Sequence, residues 1–143
     1  MKTKTLLCLC LFIGIGLTQL SAQTLQKGAV VAIRTYTFTL KPDVKMNQLL
    51  DFWINKYDPE FEKCYPGLKI FVLSGDRGEK KNQFGELWYF ESVKVRDKYW
   101  ATEGDTTSTD FDKAAAKKLK PLNDEWDKFV LAAPSVYTDW IIK

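Results

Sequence analysis

Behind a short apolar leader, hydrophobic periodicity runs strand, helix, strand, strand, helix, strand, in a chain with enough residues for one domain. No glycine signature of a nucleotide-binding crossover accompanies the first strand, so this order predicts an antiparallel four-stranded sheet with its helices on one face. A layer built that way has a second, uncovered face. Along the first strand both alternating sets carry apolar groups, Val30, Ala32, Tyr36 and Phe38 on one side and Val31 and Ile33 on the other. The second face therefore also calls for cover, and no further element remains in the chain to give it. Two copies packing face to face would supply it.

The individual elements follow from spacing. Ala29 to Leu40, rich in valine, isoleucine, threonine and aromatics, suits a half-buried strand. Pro42 and Asp43 then open a helix, with Asp43 as its N-cap. Met46, Leu49, Leu50, Trp53, Tyr57 and Phe61 recur at three- and four-residue steps and so form one stripe. Burying six such groups is worth on the order of 10 kcal/mol before the cost of ordering the segment. Pro59 should kink or divide that helix, because it lacks a donor and crowds the preceding turn. Leu68 to Leu73 and Phe84 to Glu91 are strands joined by a polar hairpin loop, and Ser92 through Trp100 is helical again. A polar stretch from Thr102 to Ser108 reads as an exposed loop. Asp110 then caps a helix with Phe111, Ala115, Leu119, Leu122, Trp126, Phe129 and Val130 on one face, bent at Pro121. Val136 to Ile142 is the last strand, at an edge.

The leader matters for compartment. Lys2 and Lys4, an apolar run from Leu6 to Leu17 and a small-residue end at Ser21 and Ala22 describe a secretory signal peptide over residues 1–22. The run falls short of the roughly 20 residues a membrane span needs. The expected mature protein, residues 23–143, is a single exported domain, periplasmic or secreted. Loss of Lys2 and Lys4 takes the 21 basic residues to 19 against 18 acidic ones, and no basic stripe suggests a nucleic-acid partner. Cys8 and Cys10 leave with the leader, so Cys64 has no intramolecular disulfide partner and is read as a small buried hydrophobe.

Two short runs resemble a known family. Ile33, Arg34, Thr35, Tyr36 and Thr37 with Lys41 and Pro42, and Leu87, Trp88, Tyr89, Phe90, Glu91 and Ser92 with Arg96 downstream, resemble the NIPSNAP-like group of the dimeric α+β barrel superfamily. The resemblance implies a ferredoxin-like βαββαβ sandwich that pairs as a homodimeric barrel. Members often carry a histidine just before the leucine of the second run, where this chain has Glu86. Relatives in the wider superfamily include cofactor-independent monooxygenases, haem-degrading enzymes, isomerases and proteins with no known activity, so the fold fixes little chemistry.

The residues themselves narrow the chemistry. The sequence contains no histidine, which removes a histidine-relayed nucleophile, histidine-bound zinc and haem on an axial histidine. Asp105, Asp110 and Asp112 do not match a calcium loop and read as a polar loop and cap. No metal or cofactor is expected. Arg34, in the middle of an apolar strand, must meet an acid or an anion. One reading makes Arg34, Tyr36 and Trp88 a pocket for a small hydrophobic or acidic organic ligand; the preferred one pairs Arg34 internally with Glu86 or Asp139. The leading expectation is an exported homodimer of unknown specific activity that binds a small hydrophobic or acidic ligand; the alternatives are a cofactor-independent monooxygenase or isomerase in which Arg34, Tyr36 and Trp88 orient substrate, and a non-catalytic structural or interaction module with a filled barrel.

Overall fold

A computed structural model describes residues 25–100 and 109–143, with side chains described up to 100 and from 113. The expected signal peptide with its cysteines, the expected loop at 102–108 and the side chains of Asp110, Phe111 and Asp112 lie outside the described residues. Four strands, β1 (Val30–Tyr36), β3 (Leu68–Ser74), β4 (Phe84–Phe90) and β6 (Ser135–Ile141), form one antiparallel sheet in the order β3-β4-β1-β6. With helices after the first and third of these strands, this is the ferredoxin-like βαββαβ arrangement. Register sets Arg34 opposite Glu86 on one side and Tyr137 on the other. Gly85 lies opposite Thr35, where a Cβ would press into the carbonyl oxygen of Arg34, so only glycine lets β1 and β4 approach this closely.

The first strand is shorter than its composition suggests. After Tyr36 the backbone leaves the sheet, Thr37 donating to the carbonyl of Pro134, and β2 (Thr39–Leu40) pairs with β5 (Val130–Ala132) in a small second sheet. The expected cap at Asp43 is likewise displaced. Asp43 adopts a left-handed φ of 64° in a turn closed by Val44 donating to Lys41, and helix α1 (Met46–Phe52) starts after Lys45, whose N–H is accepted by the Gln48 side chain at 2.8 Å. Aspartate tolerates the left-handed region better than most residues, so Pro42 and Asp43 make the turn that precedes the helix. At the last helix, α4 (Thr109–Trp126), Asp110 sits inside the first turn.

The first helix is divided just ahead of Pro59 rather than ended by it. Between α1 and α2 (Asp58–Cys64) the chain makes one wide π-helical turn, Trp53–Tyr57, with Asp58 N–H donating to the carbonyl of Trp53 five residues back. Proline has no N–H for the carbonyl four residues earlier, and widening the turn relieves its crowding there. The short helix α3 (Val93–Asp97) is capped by Ser92, whose hydroxyl accepts from Val95 N–H at 3.2 Å. Arg96 ties it to the far edge of the sheet through Asp139, at 2.7 Å.

Register and alternation place Val30, Ala32, Arg34 and Tyr36 of β1, Leu68 and Ile70 of β3, and Glu86, Trp88 and Phe90 of β4 on the helix-covered face. There Val30, Leu68 and Phe90 join Phe52, Tyr65, Tyr99, Ala115, Leu119 and Leu122 in the core. The opposite face carries Ile33, Phe71, Leu73, Leu87, Val136 and Trp140, with Tyr89 buried among them. Phe71, Trp140 and Val136 are 51%, 59% and 74% exposed. No described helix is long and apolar enough to cross a membrane.

Candidate functional site

Polar chemistry concentrates under the middle of β1 and β4, around Glu86. Its position halfway along β4 on the helix side forces a carboxylate into the core, where it is buried. Three donors meet it. Trp53 Nε1 donates to Oε1 at 2.7 Å, and the Tyr36 hydroxyl and Trp88 Nε1 donate to Oε2 at 2.8 and 2.9 Å. Burial still drives the Glu86 carboxyl above its ordinary range, while these three bonds and the Arg34 charge pull the other way.

Arg34 stands across the strand pair from Glu86, its guanidinium carbon 5.0 Å from the Trp88 ring centroid and 5.2 Å from that of Tyr137. A delocalised, weakly hydrated cation is suited to lying between two rings. The structure thus brings Arg34, Tyr36, Trp88 and Glu86 together, while Asp139 is held by Arg96 on α3. Trp88 in turn packs on Phe61 and Trp100, each at a centroid distance of 5.4 Å.

Sequence reasoning missed Trp53 as a polar donor, Tyr137 as a ring partner of Arg34, and Asp58 altogether. Asp58 is 6% exposed, and its Oδ1 has no hydrogen-bond partner among the described residues. Burial first, then the Glu86 charge, push its carboxyl up to about 8, against a smaller lowering by the Trp53 N–H. At neutral pH Asp58 therefore carries a proton. Burial and the charge of Glu86 also hold the Tyr36 hydroxyl far above its ordinary range, and Tyr57, whose hydroxyl donates to Asn123 Oδ1, is pushed up to about 12.

These features set what the cluster can do. Glu86 already accepts three bonds, and Tyr36 holds its proton at any physiological pH, so neither offers an idle base or nucleophile. Among the described residues only Asp58 combines a titration near neutral pH with a buried, unpartnered atom. No group of histidine, cysteine or acidic side chains among the described residues is placed to hold a metal ion. Cys64 is half-buried, with its thiol pushed up chiefly by burial, which does not favour the reactive thiolate.

Neither a protein-family model nor a curated protein matches the chain. Solved structures similar to it include the following two. A dimeric protein of unknown function and ferredoxin-like fold from Bacteroides fragilis shares 16% identity over 80% of this chain and 98% of its own, with a TM-score of 0.38. An ethyl tert-butyl ether d (ethd) family protein from Bacillus halodurans shares 14% identity over 77% of this chain and 96% of its own, with a TM-score of 0.40. Both likenesses are distant, and the arrangement of elements described above stands on the chain's own strand order.

Proposed function

We propose that this chain is an exported homodimeric interaction module, in which two sheets meet across their open faces as an α+β barrel and each sandwich interior is filled by its own side chains. The observation that carries the reading is the apolar character of the uncovered face, where Ile33, Phe71, Val136 and Trp140 project into solvent from three of the four strands. A contiguous apolar surface of this kind on a water-soluble sheet marks a protein contact. A second copy brings the same patch, so an isologous contact across a two-fold axis covers both at once. The NIPSNAP-like runs in β1 and β4 and the signal-like leader favour a paired, exported protein, and the engaged state of Arg34 and Glu86 favours a module over an enzyme.

Substituting Phe71→Asp tests this. Across a two-fold interface the change introduces two carboxylates into an apolar contact, each costing several kcal/mol unless hydrated. The expected result is a dissociation constant at least 100-fold weaker, about 3 kcal/mol, with unchanged far-ultraviolet circular dichroism, since Phe71 lies outside the core. A variant with the same subunit mass distribution as the wild type at every concentration would remove the open face from the assembly.

A further inference from the structure

The two edges of the main sheet, β3 and β6, are finished differently. At the β3 edge Leu68 N–H donates to the Tyr65 carbonyl at 3.0 Å and Ile70 N–H to Glu62 Oε1 at 2.7 Å, with the charged Lys69 between them. The chain itself occupies those outward donors, which is one way a sheet keeps a further strand from adding. The β6 edge has no such guard among the described residues. All seven residues of β6 are exposed, its pairing with β1 runs without a bulge, and Ser135–Ile141 contains neither proline nor lysine. Hydrogen bonds from Thr37 N–H to the Pro134 carbonyl and from Ile142 N–H to the Ala29 carbonyl bracket the ladder, so Val136, Thr138 and Trp140 are the residues that exchange bonds with β1. The backbone groups of the alternate residues point away from the sheet, and those of Ser135, Asp139 and Ile141 form no hydrogen bond with a described residue.

We propose that the β6 edge adds a strand, and that the strand is β6 of a second copy, running antiparallel about a two-fold axis at Thr138. The pairing rests on the homodimeric reading above and specifies how the two sheets join. Two four-stranded sheets become one layer of eight strands, whose twist turns the open faces toward each other around an interior that side chains fill. In this register the strand complements itself. Val136 faces Trp140 of the partner subunit and Trp140 faces the partner's Val136, which carries the apolar surface across the join. Thr138 meets the partner's Thr138, and Ser135 meets the partner's Ile141. Asp139 falls opposite the partner's Tyr137, so no like charges meet, whereas an axis at Asp139 would set two carboxylates against each other. Asp139 keeps its bond to Arg96 and the Tyr137 ring stays on Arg34. Packing of the open faces alone covers Val136 and Trp140 but leaves the outer backbone row of β6 wet, and strand addition pairs it.

Cysteine cross-linking reads the register. At the axis the two Thr138 residues form a pair without mutual hydrogen bonds, their Cα atoms about 4.5 Å apart and within the span of a disulfide. In residues 23–143 carrying Cys64→Ala, Thr138→Cys at micromolar concentration with oxidised glutathione should give a covalent dimer at least tenfold faster than Val136→Cys, whose two copies lie roughly 14 Å apart. Asp139→Pro removes one outward N–H and sets a ring there, on the side of β6 away from β1. It should weaken the dimer at least tenfold relative to Asp139→Ala, which loses the same Arg96 contact. Should the proline variant not fold, the cross-linking rates decide. A two-subunit mass in which Thr138→Cys joins no faster than Val136→Cys, or equal dissociation constants for the two Asp139 variants, overturns the edge pairing and leaves the face contact standing. Single subunits at every concentration overturn both.

Discussion

Glu86→Ala is expected to lower the unfolding free energy by about 3–5 kcal/mol, the largest loss of any single substitution outside the apolar core. The change leaves three donors, Trp53 Nε1, the Tyr36 hydroxyl and Trp88 Nε1, without their acceptor in a dry interior. It also removes the negative charge opposite Arg34 while leaving that cation between two rings. Glu86→Gln keeps one acceptor oxygen but turns an NH2 group toward indole and phenol donors, so it should cost about half as much. Denaturant unfolding at fixed protein concentration reads both values. A loss under about 1 kcal/mol for the alanine variant would mean that water already satisfies these donors.

Asp58→Asn carries the opposite sign. A carboxyl raised to about 8 in the fold, against about 3.9 in an unfolded chain, binds more protons folded than unfolded between those values. Its contribution to stability is complete below about pH 4 and is lost as pH rises through about 8. The expected slope is a fall of roughly 1.4 kcal/mol per pH unit over the middle of that window, to which the raised Glu86 adds in the same direction. Asparagine cannot ionise, so the stability of the variant relative to the wild type should rise by about 4 kcal/mol from pH 4.5 to pH 8. Unfolding curves of the two proteins from pH 4.5 to 8.5 give the difference directly. Parallel profiles would show that Asp58 ionises in the fold as easily as in the unfolded chain.

The main sheet was legible in the sequence because its signals are local. Alternation along β1 and the aromatic weight of β4 each lie within one run of seven residues. The cross-strand relation of Arg34 to Glu86 was accessible for the same reason, both being polar residues in the middle of apolar strands. Asp58 was hidden by geometry. On a regular helix a residue five places after Trp53 points about 140° away from it, off the apolar stripe, and only the wide turn brings Asp58 inward. Phe52, three residues after Leu49, shares the buried side of α1 and joins the core. Tyr137 needed the long-range pairing of β6 with β1 before it could be set against Arg34. The strands β2 and β5, of two and three residues, are too short to show any period.

The shape of the uncovered face bears on all of this, since a sheet with apolar side chains on both sides must be covered twice and the described residues cover it once. Sedimentation equilibrium of the wild-type protein across nanomolar to micromolar concentrations measures that most directly. The mass should be that of two subunits at micromolar concentration, with Phe71 and Trp140 shielded from solvent quenchers or labels. Single subunits throughout the range, with those side chains fully accessible, would contradict it.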